Sequence, residues 1–414
     1  MTDIAGVPLS IIILLIVFIL IAVRQVGRIK LQIWQVMLGG GVAVILTGEI
    51  SPLDSAGAVN IDVMLFLFGM FVIGEALYES GYLSHISYRL FRRAKSVDQL
   101  ILLVLFGFGA LSAFLMNDTL AIIGTPMVVL LAKKHDISPK LLMIALAVAI
   151  TTGSAMSPIG NPQNLLIALQ GGFANPFVSF FSRLAIPTLI SLFLAYLMLR
   201  SLFKDEFKNG ELDHKEEPIV NVRLAMLSKI SLIFLLVLIS IKISIAFLDI
   251  QFDLRLTYIA LISAAPIILF SRDRVKVLKS IDWKTLIFFA SMFVLMAGVW
   301  NSSFFQANLA GLNIVAIPVI LIVSVLLSQL ISNVPFVALY IPMLLYAGAG
   351  EAQMIALAAG STIAGNFLIL GAASNVIVIQ NAEKRGETLR FIEFARIGIP
   401  LTALNILTYW VFLT

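Results

Sequence analysis

The sequence predicts an all-α polytopic membrane protein built from two inverted repeats, each with five transmembrane helices, one re-entrant hairpin and one partly unwound helix. Three observations carry this. First, 60% of residues are hydrophobic and 12% charged, and apolar runs of about 20 residues, enough to cross a bilayer, recur along the chain. Second, polar residues interrupt long apolar segments at Met116-Asn117-Asp118-Thr119 and again at Ser332-Asn333-Val334-Pro335. Third, Pro126 and Pro342 each lie nine positions beyond Asn117 and Asn333, and a further polar stretch follows each, Thr151 through Asn164 and Gly365 through Asn375. Broken helices and hairpin tips repeated in two halves are the pattern of a secondary transporter.

Taken in order, spans are expected at 8–23, 31–47, 59–78, 139–170, 183–203, 227–247, 255–270, 285–300, 351–382 and 396–413, with interrupted segments at 99–132 and 312–348. The run Pro8 to Val23 has no basic residue before it and no small-residue cleavage site after it, so it reads as a retained helix, not a signal peptide. Residues 82–95 are amphipathic and basic and suit a helix on the membrane surface. Ser96 with Gln99 forms a capping box, and Ser138-Pro139 opens another helix with Ser as cap and Pro in the first turn. Asp62 and Asp282 match as helix starts, and Gly69-Met70-Phe71-Val72 matches Ser291-Met292-Phe293-Val294. The halves are then 1–203 and 227–414, joined by a polar linker at 204–226. Five spans per half is odd, so the second repeat enters from the opposite side.

This threading puts all but three of the 28 basic residues on one face; the exceptions are Arg183, Arg255 and Lys242. The positive-inside rule makes that face cytoplasmic and both termini external. The net charge of +5 reflects loop placement and not nucleic-acid binding. Lys242 is expected to snorkel from the outer end of its helix, and Glu75 to sit as a surface acid one turn from the cytoplasmic end. His85, His135 and His214 fall in cytoplasmic segments, which argues against a proton-shuttle role.

A hairpin tip near the midplane aims a half-helix N-terminus into the site, where free N–H groups attract polar oxygen or an anion. Unwound carbonyls of 152–163 and 364–375, with Thr151, Thr152, Ser154, Asn161, Asn164, Asn366, Ser374 and Asn375, supply oxygens for Na⁺. Sodium sites are expected near Asn117, Asp118 and Asn161, and near Asn333 and Asn375. Any one Ser, Thr or Asn serves equally well to glue helices together; the matched set argues for a site. Asp118 is the acid placed nearest the bilayer centre, where charge is costly and usually functional, and its repeat counterpart is Val334. It either caps a half-helix beginning at Thr119 or couples transport to an ion. The helix N-terminus and burial act on its charge in opposite senses.

The residues resemble a family at this point. Asn117-Asp118-Thr119 and Ser332-Asn333-Val334 are similar to the two hairpin tips of the ion transporter superfamily, Ser157-Pro158-Ile159-Gly160-Asn161-Pro162-Gln163-Asn164 to its first unwound motif, and Gly371-Ala372-Ala373-Ser374-Asn375 to its second. The resemblance implies a homodimer in which a transport domain, holding both hairpins and both broken helices, moves against a fixed scaffold. Where the dicarboxylate branch has Ser-Asn-Thr, the first tip has Asn-Asp-Thr, similar to the arsenite and silicic-acid branch. With no Lys or Arg expected at the centre, the substrate is expected to be a small oxygen-rich anion or neutral oxyacid, moved across the plasma membrane with H⁺ or Na⁺ and no other cofactor. A Na⁺/H⁺ antiporter of the same fold is the alternative. The chain has no cysteine, His-Glu-x-x-His motif or Gly-x4-Gly-Lys-Ser/Thr loop, which argues against thiolate metal sites, zinc proteolysis and direct use of ATP. A channel remains the lesser reading.

Overall fold

A computed structural model describes the chain except residues 1–2, 5–6, 24, 27–28, 31, 92, 209–218, 249–253, 305–312, 332 and 384. Ser332, His214, residues 209–218 of the expected linker and residues 305–312 after Phe304 therefore lie outside the described residues. The rest is helical, apart from two-residue β ladders at Asp3–Ile4 with Val7–Pro8 and at Gln25–Val26 with Ile29–Lys30.

The first half runs α1 (Leu9–Val23), α2 (Ile33–Leu46), α3 (Pro52–Ala58), α4 (Ile61–Glu79), α5 (Tyr82–Phe91), α6 (Val97–Leu103), α7 (Gly109–Ser112), α8 (Asn117–Lys134), α9 (Pro139–Ser154), α10 (Pro162–Gln170) and α11 (Pro176–Leu202). The second runs α12 (Val222–Phe247), α13 (Leu256–Phe270), α14 (Arg274–Ser280), α15 (Trp283–Asn301), α16 (Ile317–Ile331), α17 (Asn333–Tyr346), α18 (Glu351–Phe367), α19 (Ala373–Glu383) and α20 (Phe391–Leu413). Five of these, α4, α11, α12, α15 and α20, are long and apolar enough to cross a membrane on their own. Shorter apolar helices of 10–17 residues, α9 among them, accompany these. The outward faces of α11, α12 and α20 carry Phe181, Ile186, Phe193, Phe234, Leu407 and Val411 exposed, while Asn, Thr and Ser are buried at the centre. The protein is an all-α polytopic membrane protein, with apolar side chains facing lipid and polar ones inward.

Close helix contacts explain several glycines. A Cβ at Gly153 of α9 would come within 2.3–2.6 Å of Gly109 backbone atoms in the hairpin, so these two helices cross backbone to backbone. A Cβ at Gly69 of α4 would come within 2.9–3.0 Å of Ala260 of α13, and Gly41 of α2 sits against Ser291 of α15. The helices that follow the two breaks pack crosswise: α10 lies on α17, and α19 on α8.

The structure corrects several expectations. Helices α3 and α14 fall where only loop was expected, and a π-turn at Val104–Phe108 joins α6 to α7. The apolar run there fits a π-turn as well as an α-turn, so the sequence does not mark it. Asp62 lies in the first turn of α4, at the helix start as expected, but the cap is Asn60, which accepts from the Val63 amide at 3.1 Å, whereas Asp282 itself caps α15. Asp62 instead accepts from the Thr257 hydroxyl at 2.8 Å, tying α4 to α13. Ser138 caps nothing with its side chain; its amide donates to Glu206. Ser96 accepts from the Gln99 amide as expected, but Gln99 reaches back to the Lys95 amide. Lys242 does not snorkel: it is 9% exposed and its ammonium donates to the Leu254 carbonyl at 2.8 Å.

Candidate functional site

The site is built where the hairpins meet the two interruptions, 155–161 between α9 and α10 and 368–372 between α18 and α19. Pro158 and Pro162 supply no amide hydrogens, so the first chain segment cannot stay helical and its freed carbonyls need partners inside the protein. The second interruption has no proline. It turns on Gly371, where a Cβ would come 2.7 Å from both the Ala364 carbonyl and the Gln329 side-chain oxygen.

Each break is stapled by the asparagine at the third residue of the helix that follows. Asn164 donates from Nδ2 to the carbonyls of Ser154, Ala155 and Ser157 at 3.1, 3.3 and 3.0 Å. Asn375 donates from Nδ2 to the Gly365 carbonyl at 2.6 Å. Asn161 caps α10 by accepting from the Asn164 amide at 2.8 Å, and its Nδ2 donates to Ser154 Oγ at 2.8 Å.

The two breaks are also tied to one another. Asn161 Nδ2 donates to Thr362 Oγ1 at 3.1 Å, and Thr362 Oγ1 donates to Asn164 Oδ1 at 3.2 Å. Asn366 Nδ2 donates to Thr152 Oγ1 at 2.8 Å. The first hairpin tip joins through the Asn117 amide, which donates to the Gly160 carbonyl at 2.9 Å. The second tip joins at Gly365, whose Cβ position lies 3.8 Å from Asn333 Nδ2 and 2.9 Å from Thr151 Cγ2. Every partner in this network is an uncharged amide, hydroxyl or carbonyl. Asn117, Asn161, Asn164, Asn333, Asn366, Asn375, Thr152, Ser154 and Ser374 are all buried.

Several buried oxygens here have no hydrogen-bond partner among the described residues: Asn117 Oδ1, Asn333 Oδ1, Asn366 Oδ1, Asn375 Oδ1, Ser374 Oγ, Thr151 Oγ1 and Gln329 Oε1. An unpaired buried acceptor costs about 1–3 kcal/mol, so a cluster of them marks a place built for something that donates to, or coordinates with, oxygen. Hard monovalent cations suit such a donor set. No group of three or more His, Cys, Asp or Glu able to hold a metal occurs among the described residues.

Asp118 and Thr119 stand apart from this network. Helix α8 starts at Asn117 with Met116 as its cap, so Asp118 lies in the first turn and does not cap it. The carboxylate makes no hydrogen bond or ion pair among the described residues, and the charged group that acts on it is Asp282 at the start of α15. Thr119 abuts α4: a Cβ on Gly74 would be 2.8 Å from Thr119 Cγ2 and 2.9 Å from its Oγ1. Two residues that carry the site, Thr362 and Gln329, were not singled out from sequence. Thr362 sits in a small-residue run that reads as helix packing; Gln329 is a polar residue four positions before Asn333, which was a usable signal.

Comparisons with known proteins agree with this architecture. The family model described as Citrate transporter matches residues 13–354. An uncharacterized transporter of Mycobacterium tuberculosis is 28% identical over 412 residues, covering 94% of each chain. The Silicon efflux transporter LSI3 of Oryza sativa subsp. japonica is 25% identical, covering 88% of each. The crystal structure of the YdaH transporter of Alcanivorax borkumensis superposes with a TM-score of 0.60 at 17% identity, covering 98% of this chain and 96% of that one, which shows a shared fold. The match over most of its length makes this chain a member of the citrate transporter family, within the ion transporter superfamily, and a membrane transporter, not an enzyme.

Proposed function

We propose that the protein is a secondary active transporter that carries a small oxygen-rich anion or neutral oxyacid across the plasma membrane, driven by H⁺ or Na⁺, by elevator-type alternating access. The observation that carries this reading is the buried cluster of unpartnered oxygens where the two hairpin tips meet the two broken helices. The printed name of the rice relative, a silicon efflux transporter, and the family description, citrate transporter, bracket the substrate class. With only neutral groups in the hydrogen-bond network, a multivalent anion would have to rely on helix N-termini or a bound cation for its counter-charge.

In this reading residues 1–203 and 227–414 are inverted repeats, 204–226 is a cytoplasmic linker, both termini are external and the active form is a homodimer. Cross-ties through Thr362 and Asn366 support joint movement of both broken helices and both hairpins. The two sets of elements would then slide past each other where Thr119 meets Gly74. In the same reading Asn117 of the first tip and Asn333 of the second contact the transported species, and Asp118 serves its coupling ion.

A second reading, Na⁺/H⁺ exchange on the same fold, is favoured by one observation: Asp118, in the first turn of α8, makes no hydrogen bond or ion pair among the described residues. Proteoliposomes holding the purified chain separate the two. Uptake and efflux of arsenite, silicic acid, citrate and succinate under imposed Na⁺ and H⁺ gradients should show one solute accumulating against its gradient. Gradient-driven Na⁺/H⁺ exchange with no solute flux would support the second reading, and flux that neither saturates nor depends on a gradient would refute both.

A further inference from the structure

Away from the tips and breaks, a second group of buried polar atoms lies where α20 packs against α11 and α18. Asn405 of α20 is fully buried, and neither its Nδ2 nor its Oδ1 has a hydrogen-bond partner among the described residues. Thr402 Oγ1, one turn earlier on α20, and Ser191 Oγ on α11 are buried and unpaired as well. Among the described buried asparagines, Asn405 alone leaves over both a buried donor and a buried acceptor.

The packing brings these atoms together. The Ser138 amide donates to Glu206, just past the end of α11, and Lys140 pairs with Glu393 in the first turn of α20 at 2.6 Å. The end of α11 and the start of α20 therefore share one end of the protein, and the two helices run antiparallel. Arg183 and Glu351, near the starts of α11 and α18, lie 3.9 Å apart, so α18 runs parallel to α11. Two contacts then fix the register. Gly398 of α20 meets α18 backbone to backbone: a Cβ there would lie 2.2 Å from the Asn366 carbonyl oxygen. About three turns further along the same face of α20, the Tyr409 hydroxyl and Thr188 Oγ1 share a hydrogen bond of 2.7 Å, with Ser191 close to the same hydroxyl.

Asn405 and Thr402 lie on that face between the two contacts. Counting from the Tyr409–Thr188 bond puts Ser191 of α11 at the level of Asn405 and Ala195 at that of Thr402. Counting from Gly398 puts Asn405 level with Ala359 of α18, and Thr402 level with Thr362, whose hydroxyl is already used by Asn161 and Asn164. Small side chains thus face the two polar groups and offer them no free partner.

We infer that α11, α18 and α20 enclose an internal water site, in which Asn405, Thr402 and Ser191 hold ordered water. The leftover atoms select the occupant. A cation would take Asn405 Oδ1 and be repelled by the amide hydrogens beside it, and an anion would meet the reverse. An apolar group would leave every one of these atoms unpaired in the interior, at a cost for each. Water both donates and accepts, and a buried water makes about three hydrogen bonds, which matches a cluster of one amide and two hydroxyls. Turning the Asn405 amide over exchanges donor for acceptor and changes nothing. Water placed here ties α11 to α20 on the face of α20 that backs the second break through Gly398.

The test is a density map of the purified full chain in nanodiscs, at a resolution that shows ordered water, with unfolding of variants in detergent beside it. The map should show peaks within hydrogen-bond distance of both Nδ2 and Oδ1 of Asn405, unaltered when Na⁺ is replaced by Rb⁺. An Asn405 amide bonded directly to protein groups, or a peak that strengthens in Rb⁺, would overturn the inference. Asn405→Leu evicts the water and strands Ser191 and Thr402, so it should raise the unfolding equilibrium constant at least about fivefold. An asparagine without water would give the opposite sign, because leucine would then remove an unpaired polar group. Ser191→Ala, Thr402→Val and Asn405→Leu combined leave nothing to hydrate and should return to within about twofold of wild type. Ser240→Ala, an exposed hydroxyl on α12, should change nothing. Unchanged or greater stability in Asn405→Leu, or a combined variant no more stable than Asn405→Leu, would overturn the inference. Should Asn405→Leu fail to fold, Asn405→Ser is mapped in its place: it should show a further water peak in the room vacated, and a seam closed without water would count as refutation.

Discussion

Replacing Thr362 by Val removes one hydroxyl and almost no volume, and the hydroxyl it removes bridges the two broken helices. Two bonds go: Asn161 Nδ2 to Oγ1 at 3.1 Å and Oγ1 to Asn164 Oδ1 at 3.2 Å. Hydrogen bonds between membrane helices average about 0.6 kcal/mol, giving about 1 kcal/mol for the pair. Asn161 Nδ2 keeps its bond to Ser154, but Asn164 Oδ1 becomes a buried acceptor without a partner. That orphan raises the cost toward about 3 kcal/mol. Thr362→Ser should stay close to wild type, since it keeps the hydroxyl. The assay is reversible unfolding in detergent for Thr362→Val, Asn164→Ala and the double variant. Because the two side chains touch, their effects should fall short of additivity by at least about 0.5 kcal/mol. Additivity to within about 0.3 kcal/mol would show that the Thr362 bridge carries no coupling, and would leave the Asn366–Thr152 bond as the one side-chain tie argued to join the broken helices.

The remaining predictions address access, coupling and sidedness. Gly74→Val should fold yet slow transport about tenfold or more, since overpacking of about 1–3 kcal/mol falls where Thr119 abuts α4; adding Thr119→Ala should recover part of the rate, and an unaltered rate would place the moving surface elsewhere. Asp118→Asn should keep the fold and solute binding while abolishing accumulation driven by the ion gradient in proteoliposomes; full accumulation would exclude Asp118 from coupling. A single cysteine at Lys204 in this cysteine-free chain should resist an impermeant thiol reagent added outside intact cells, and prompt labelling would invert the topology.

The tips and breaks were legible because polar residues in an apolar chain stand out whatever their partners. Asn117, Asn333, Asn161 and Asn375 could be picked from the sequence for that reason, and the structure gathers them at the two breaks. What each one does was not legible. Asn164 and Asn375 hold the same place after their breaks, yet one uses its oxygen and the other leaves it unpaired, and the difference lies in Thr362, nearly two hundred positions from Asn164. Helix starts were readable to within a turn. Asp62 drew attention by its charge, but Asn60 is the cap, and it is Asn60 and Asp282 that share the 222-residue offset of Gly69 and Ser291. A lysine near a helix end normally reaches water, and nothing in the local sequence of Lys242 marks the Leu254 carbonyl that satisfies it inside.

The placement of Asp118 decides how coupling can work. A carboxylate among the amides of the cluster would bind the ion and the solute together. This one lies outside their network, on the first turn of α8. Thr119, the next residue, abuts Gly74 of α4. If coupling runs through Asp118, a proton or cation bound there would change the charge of the tip beside α4 without breaking a bond of the neutral network. The polar groups around Gly365 and Gly371 are all neutral, so they offer no such charge to change. On the proposed carrier reading, a substitution at position 118 should therefore alter the ion dependence of the rate while leaving the affinity of the cluster in place.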